Sequence, residues 1–240
     1  MQVEIFSDVV CPWCYLGKRR FEQALAQFEH RDEVTVVHRS FQLDPSAPAD
    51  AGPTVQMLSS KYGMSIEQAE QAQRQMEQRA AGDGLSYDLA GQRSGNTRDA
   101  HRLLQFAREQ GRQDELVERL FAAYFTERRS VFDRESLLAL AAEAGLDPQM
   151  ATTVLDSDAF ATDVDHDLAE ARALGITGVP FFVLDGRYGV SGAQPVELLA
   201  TALERAWSDS AGCGQPVAIR RSASADAARN SPTRASLSCS

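Results

Sequence analysis

Residues 7–22 read SDVVCPWCYLGKRRFE, and the interpretation of the whole chain starts from this stretch. Two of the four cysteines in the chain, Cys11 and Cys14, lie three positions apart within it. Pro12 suits the first turn of a helix, where a missing N–H costs no intrahelical hydrogen bond. From residue 15 to residue 28 the apolar side chains recur at helical spacing. We therefore expect both cysteines at the amino end of a helix.

A C-x-x-C pair at this place has the geometry of a dithiol/disulfide redox pair. The positive end of the helix would stabilise a thiolate at Cys11, while Cys14 would lie one turn further in, shielded from substrate. We expect Cys11 to attack and Cys14 to resolve. The alternatives are inert buried thiols or half of a zinc knuckle. Because Cys213 and Cys239 are far away in a low-complexity stretch, no metal site is predicted.

The segments around this helix predict a β-α-β unit followed by a helical block. Residues 3–6 and 34–41 are rich in β-branched and aromatic side chains and predict two strands, expected to be parallel. From about Pro53 to Gly175 the pattern is helical, and we expect about five or six helices. Four start signals support them, namely Ser65 with Gln68, Asn96 with Asp99, Asp133 with Ser136, and Asp147 with Pro148.

The carboxyl-terminal third predicts a β-hairpin and a closing helix. Val179-Pro180 leads into an apolar run that ends at a hairpin turn signal, Asp185-Gly186. Residues 195–207 have apolar side chains at helical spacing. This order of elements is that of an α/β thioredoxin fold with a large all-helical insertion between its β-α-β half and its β-β-α half. The predicted domains are residues 1–52 with 175–207 for the thioredoxin-like part, 53–174 for the helical insertion, and 208–240 for a disordered tail.

Charge and hydropathy exclude several classes of protein. The 24 basic and 34 acidic residues give a net charge of −10, which argues against nucleic-acid binding. The most apolar run, residues 179–184, is far too short to cross a membrane. The amino-terminal residues do not have the pattern of a signal peptide, so a cytoplasmic location is expected. The acidic run at 163–167 predicts a solvated helix face rather than metal ligands.

Four segments together resemble the DsbA-like thioredoxin family. More closely they resemble its branch named FrnE, which takes its name from polyketide (frenolicin) biosynthesis clusters. The resemblance implies thiol-disulfide oxidoreductase activity with no cofactor other than the redox-active pair, with Cys11 as nucleophile, Cys14 as resolving thiol and Pro180 as a cis proline. The segments are CPWCYLGKRRFE at 11–22, NTRDAHRL at 96–103, LGITGVPFFV at 174–183 and SGAQP at 191–195.

The resemblance also implies where substrate binds. The residue before the cis proline offers backbone groups to an extended substrate, so Val179 and the neighbouring Trp13 are candidate substrate-binding residues. The segment carrying Asn96 and His101 is implied to face the cysteines, although Asn96 also suits a helix N-cap and His101 also suits the core. The expected partners are a protein or small-molecule thiol or disulfide, with glutathione as a candidate co-substrate, and a cytosolic thiol reductant for recycling.

Other interpretations stay open at this stage. Kappa-class glutathione transferases and 2-hydroxychromene-2-carboxylate isomerases resemble the chain too, but they generally use a single Ser or Cys, so Cys14 is the discriminating residue. A redox-inert chaperone would need neither cysteine. Cys213 is a candidate regulatory or additional resolving thiol, because closing a long loop costs little more than closing a short one. Cys213 and Cys239 can equally be incidental.

Overall fold

The computed structural model describes residues 1–212. Expectations for residues 213–240, including a role for Cys213, lie outside the described residues. Within residues 1–212 no helix combines the length and the apolar character that spanning a bilayer requires. The strands are β1 (Gln2–Ser7), β2 (Thr35–Ser40), β3 (Gly52–Pro53), β4 (Arg93–Ser94), β5 (Phe181–Leu184) and β6 (Tyr188–Ser191). The helices are α1 (Pro12–Gln27), α2 (Thr54–Tyr62), α3 (Ile66–Gly82), α4 (Arg98–Glu109), α5 (Gln113–Phe125), α6 (Arg134–Glu143), α7 (Pro148–Leu155), α8 (Ala161–Ala173) and α9 (Val196–Gly212), with a 3₁₀ turn at Arg31–Glu33.

The main sheet has the strand order β2-β1-β5-β6. β1 runs parallel to β2, with Val3 opposite Val36, and α1 makes the crossover between them. β5 is antiparallel to β1, with Val3 opposite Leu184, and β6 returns antiparallel to β5. The predicted α/β fold, with helices inserted between a β-α-β half and a β-β-α half, is confirmed.

The alternation of side chains along β1 divides the core between the two faces of the sheet. Val3 and Ile5 are buried together with side chains of α1 and α9, whereas Phe6 is buried with Ala171 of α8. The last inserted helix therefore covers the second face of the sheet. A third and larger cluster holds the inserted helices together and includes both cysteines.

The helical block differs from expectation in its details. It contains seven helices in the described residues, α2 to α8, rather than five or six. Helices α2, α5 and α8 begin without a side-chain cap, so the sequence carries no start signal for them. The two-residue ribbon of β3 and β4 was not predicted. The capping box of Ser65 with Gln68 is confirmed. α9 continues past Trp207 to Gly212, so the helix extends into the segment predicted as a tail.

A buried lysine fastens α1 to α5. Lys18 is 3% exposed, and its ammonium lies 3.0 Å from Glu118 and 3.3 Å from Asp114, both on α5. Burial lowers the pKa of Lys18, but Asp114, Glu22 and Glu118 together raise it by more, so the net shift is upward. The ammonium stays charged, and a charged, paired group at this depth sets the register of the insertion on α1.

The expectation of a solvated acidic face is wrong at Asp167. This residue is 1% exposed and accepts hydrogen bonds from the Ser40 N–H (2.8 Å), Arg39 (3.0 Å) and Gln105 (2.6 Å). It shares the inward face of α8 with Val164, Leu168 and Ala171, at the helical spacing that buries them. Asp167 thus joins α8 to β2 and α4.

We predict that Asp167→Ala lowers the free energy of unfolding by about 2–3 kcal/mol, because it leaves the buried Ser40 N–H without an acceptor and removes one of the carboxylate partners of Arg39. Asp163→Ala, an exposed change in the first turn of the same helix, should cost no more than about 1 kcal/mol, since it alters only the interaction with the helix dipole. Urea unfolding followed by circular dichroism measures both. Equal losses in the two variants would contradict the structural role of Asp167.

Candidate active site

The turn from β1 into α1 places the two cysteines. Cys11 is the N-cap of α1, with Pro12 at the first helical position as predicted. The N–H of Cys11 donates to the Asp8 carbonyl (3.0 Å), and the N–H of Cys14 donates to the Cys11 carbonyl (2.9 Å). The first turn of α1 contains no acidic side chain. The unpaired N–H groups and positive end of α1 are therefore next to the Cys11 sulfur.

The two thiols have different surroundings. Cys11 is 4% exposed and Cys14 only 1%, and both pack in the apolar cluster of the insertion. Burial raises the pKa of the Cys14 thiol, and the hydrogen bond and charge of Cys11 raise it further. Cys14 therefore keeps its proton more firmly than an ordinary thiol does. This difference matches an outer attacking thiol and an inner resolving thiol.

Pro180 lies against the pair. The Val179–Pro180 peptide is cis, as predicted, and Pro180 is buried. The Cys11 thiol donates to the Val179 carbonyl at 3.5 Å. Two segments 168 residues apart in sequence thus meet at one sulfur atom.

The structure keeps two of the four predicted substrate-binding residues at the surface beside the thiols. Trp13 is 39% exposed, and Val179 is half-buried. The guanidinium of Arg79, from α3, lies over the Trp13 ring at 5.0 Å from its centroid. Trp13 and Val179 therefore border the Cys11 sulfur and are available to a bound molecule.

Asn96 and His101 lie in the framework around the cysteine turn. His101 is 1% exposed, and its Nε2 lies 3.2 Å from the carboxylate of Asp8, so it belongs to the core. Asn96 is not the N-cap either, since α4 begins at Arg98 after Thr97. Its amide donates to the Ala47 carbonyl (2.8 Å) and accepts from the Arg98 N–H (2.9 Å). Through these contacts both side chains hold the framework of the site.

Two cavities in the described residues lie away from the thiols. One of about 400 Å³ is lined by residues that include Arg93, Tyr124 and Phe132, and one of about 580 Å³ lies beside Arg112 and Glu143. Neither is lined by Cys11, Cys14 or Pro180.

A family model described as the DSBA-like thioredoxin domain matches residues 2–204. The chain belongs to this family. The structure of a probable DsbA oxidoreductase from Streptomyces coelicolor is 50% identical, with a TM-score of 0.84, and the match covers 91% of this chain and 93% of that one. The uncharacterized protein YwbO of Bacillus subtilis is 27% identical over 205 residues, which are 85% of this chain and 96% of YwbO.

A 2-hydroxychromene-2-carboxylate isomerase structure is also similar, with 20% identity, a TM-score of 0.67 and coverage of 90% of this chain and all of that one (100%). At that identity the similarity concerns the fold alone. The DSBA-like chain thus has the fold that its cysteine motif predicted.

Three residues of this DSBA-like site were missed by the sequence reasoning. Asp8 is 1% exposed and joins the cysteine turn to His101 and, through its other oxygen, to the Leu43 N–H at 2.8 Å. The hydroxyl of Tyr87 donates to the Pro12 carbonyl at 2.8 Å. Gly17 lies on the face of α1 that meets Pro180. Only Gly17 gave a signal in the sequence, because a glycine inside a helical pattern often marks a close approach.

We predict that Gly17→Ala destabilises this DSBA-like protein by about 1–3 kcal/mol, the usual cost of overpacking. A Cβ at this position would lie 2.7 Å from the Pro180 Cγ and 3.5 Å from the ring of Phe182. Gly82→Ala is the matched control, because a Cβ there meets no atom within 4 Å. It should be neutral or stabilising, since alanine favours the helix. Urea unfolding of both variants tests the contact, and equal stability of the two would argue against it.

We also predict that Cys14 in the Cys11→Ser variant reacts slowly with iodoacetamide at neutral pH. Burial is the largest cause of its raised pKa and persists without Cys11. The alkylation rate should keep rising with pH well above about 8.5, the pKa of an ordinary thiol. Mass spectrometry of the Cys14 peptide isolates this site from Cys213 and Cys239. If the alkylation rate of Cys14 had the same pH dependence in the folded and the urea-unfolded variant, the prediction would be wrong.

Proposed function

We propose that this chain is a dithiol-disulfide oxidoreductase that works through Cys11 and Cys14. The observation that carries the proposal is the meeting of the Cys11 sulfur, at the amino end of α1, with the Val179 carbonyl at 3.5 Å, beside cis Pro180. Membership of the DSBA-like family supports it.

In the proposed exchange, the Cys11 thiolate attacks one sulfur of a substrate disulfide. The substrate S–S bond breaks, a mixed disulfide forms, and one substrate thiolate leaves and takes up a proton. Cys14 then gives its proton to solvent and attacks the Cys11 sulfur. The second substrate thiol leaves, and the Cys11–Cys14 disulfide forms as two electrons pass to the substrate. Two equivalents of a thiol reductant restore the dithiol.

The different surroundings of the two thiols support this order of events. A helix amino end favours a thiolate at the N-cap, so Cys11 is the better attacking group. The raised pKa of Cys14 delays its ionisation while Cys11 is still charged. Once Cys11 is bound in a mixed disulfide, that charge is gone and the resolving attack becomes easier. The pair would therefore release each substrate without a long-lived intermediate.

We further propose a setting for this chemistry. The FrnE branch, the link to polyketide biosynthesis and the cytoplasmic location rest on the four motifs quoted above. Glutathione or another cytosolic thiol would recycle the pair, and no cofactor is required. Periplasmic relatives carry Pro-His between the cysteines, whereas Trp13 offers no charged donor to the sulfur. We therefore expect a potential below the roughly −120 mV of DsbA.

The test is an equilibrium redox titration in glutathione buffers, with thiol-trapped protein resolved by mass. We expect one reversible two-electron couple at Cys11 and Cys14. Cys11→Ser should abolish disulfide reduction, and Cys14→Ser should accumulate a mixed disulfide at Cys11 with little turnover. A wild-type protein that forms no reversible Cys11–Cys14 disulfide would sink the proposal. Glutathione-dependent isomerisation that survives in Cys14→Ser would favour the isomerase alternative instead.

A further inference from the structure

Arg79, which has no hydrogen-bond or ion-pair partner within residues 1–212, lies over Trp13, the exposed residue between the two cysteines. Arg79 is in the last turn of α3, and its guanidinium is 5.0 Å from the centroid of the Trp13 ring. Both side chains are exposed. Trp13 and Pro12 separate Cys11 from Cys14 in sequence. The guanidinium of Arg79 therefore contacts a residue of the C-x-x-C motif itself.

The acidic neighbours of Arg79 are already engaged. Asp83, four residues further on, would be its usual partner, but both oxygens of Asp83 accept from Arg20 at 2.8 Å. Glu77 accepts from the Leu89 N–H at 2.7 Å. Across residues 1–212, no hydrogen bond or ion pair involves the Arg79 guanidinium. Its N–H donors are therefore free for a ligand.

The backbone under Arg79 is held in place. Ala80 and Met76 of α3 are buried in the same apolar cluster as the two cysteines. Nearby, Tyr87 donates to the Pro12 carbonyl, and Arg20 donates both to Asp83 and to the Ala193 carbonyl at 2.8 Å. The Trp13 ring then orients the guanidinium through a cation–π contact. The backbone of Arg79 is thus fixed by the packing of α3, and its guanidinium is oriented by the Trp13 ring.

We propose that Arg79 and Trp13 form an anion subsite that selects thiol and disulfide substrates with a carboxylate near the reacting sulfur, as in glutathione. This inference rests on the proposed exchange at Cys11. A guanidinium with free N–H donors fits a carboxylate as a two-pronged fork, while the ring covers one of its faces. The amino end of α1, which has no acidic side chain in its first turn, adds to the local positive potential.

The expected substrate preference is small, because Arg79 and Trp13 are both exposed to solvent. The net charge of −10 repels anions at long range, but at physiological ionic strength it is screened beyond about 8 Å. The local contact therefore decides between substrates. An exposed charge pair supports a preference of about two- to five-fold.

The experiment measures second-order rate constants for oxidation of the reduced protein by three small disulfides. Glutathione disulfide is anionic, hydroxyethyl disulfide is neutral and cystamine is cationic. Any effect of Arg79 on the Cys11 thiolate is common to all three and cancels in the ratios. In Arg79→Gln the preference for glutathione disulfide over the neutral compound should fall about two- to five-fold. Arg79→Glu should shift the preference toward cystamine, and Arg79→Lys, which keeps the charge but loses the fork, should keep only part of the wild-type preference.

The control is Arg74→Gln, on the same helix but on another face, where Arg74 is 61% exposed and lies 3.9 Å from Glu70. It should leave all three ratios unchanged. The wild-type preference for glutathione disulfide should also weaken as salt is added. Equal rate losses with all three disulfides in Arg79→Gln would overturn the subsite. So would an Arg79→Glu variant that shows no shift in preference toward cystamine. If none of the three disulfides oxidised the reduced wild-type protein, the proposed exchange at Cys11 and Cys14 would fail instead.

Discussion

The first turns of α1 have to carry two thiols and also lie directly against the Val179–Pro180 segment, and Gly17 is the point where helix and proline meet. No larger residue fits there without moving the ring that borders the sulfur of Cys11. The antiparallel pairing of β5 with β1 brings Pro180 to this place, because Phe181 lies opposite Phe6 just before the cysteine turn. Sheet register and helix packing thus determine together what Cys11 faces.

Buried polar groups then attach the inserted helices to this framework. Asp8 links the cysteine turn to α4, Lys18 links α1 to α5, and Asp167 links α8 to β2. Such groups add little net stability compared with apolar side chains, but any misaligned arrangement would leave a charge without a partner. These groups therefore fix a single position of the inserted helices on the sheet and α1.

The thioredoxin-like part and the helical insertion contribute different properties to the site. The sheet, α1 and the cis proline position the thiols, whereas α3 and the segment after it supply Arg79 and Tyr87 at the rim. Reactivity thus depends on the β-α-β and β-β-α halves, and the choice of substrate depends on the insertion. Changes on α3 can alter that choice without disturbing the pair.

The sequence alone determined the strands of the main sheet, α1 and the reactive pair. Local signals sufficed, since the C-x-x-C spacing, the proline at the first helical position and alternation in the strands each act within a few residues. It erred at Asp167, which looked like part of a charged surface, and it left open whether His101 belongs to the core and whether Asn96 caps a helix. The tertiary structure alone decided those, together with the contacts of Gly17 and the free state of Arg79. These properties depend on which distant residue lies opposite a side chain. Arg20, for example, binds the carboxylate of Asp83, so that within residues 1–212 Arg79 has no ion-pair partner.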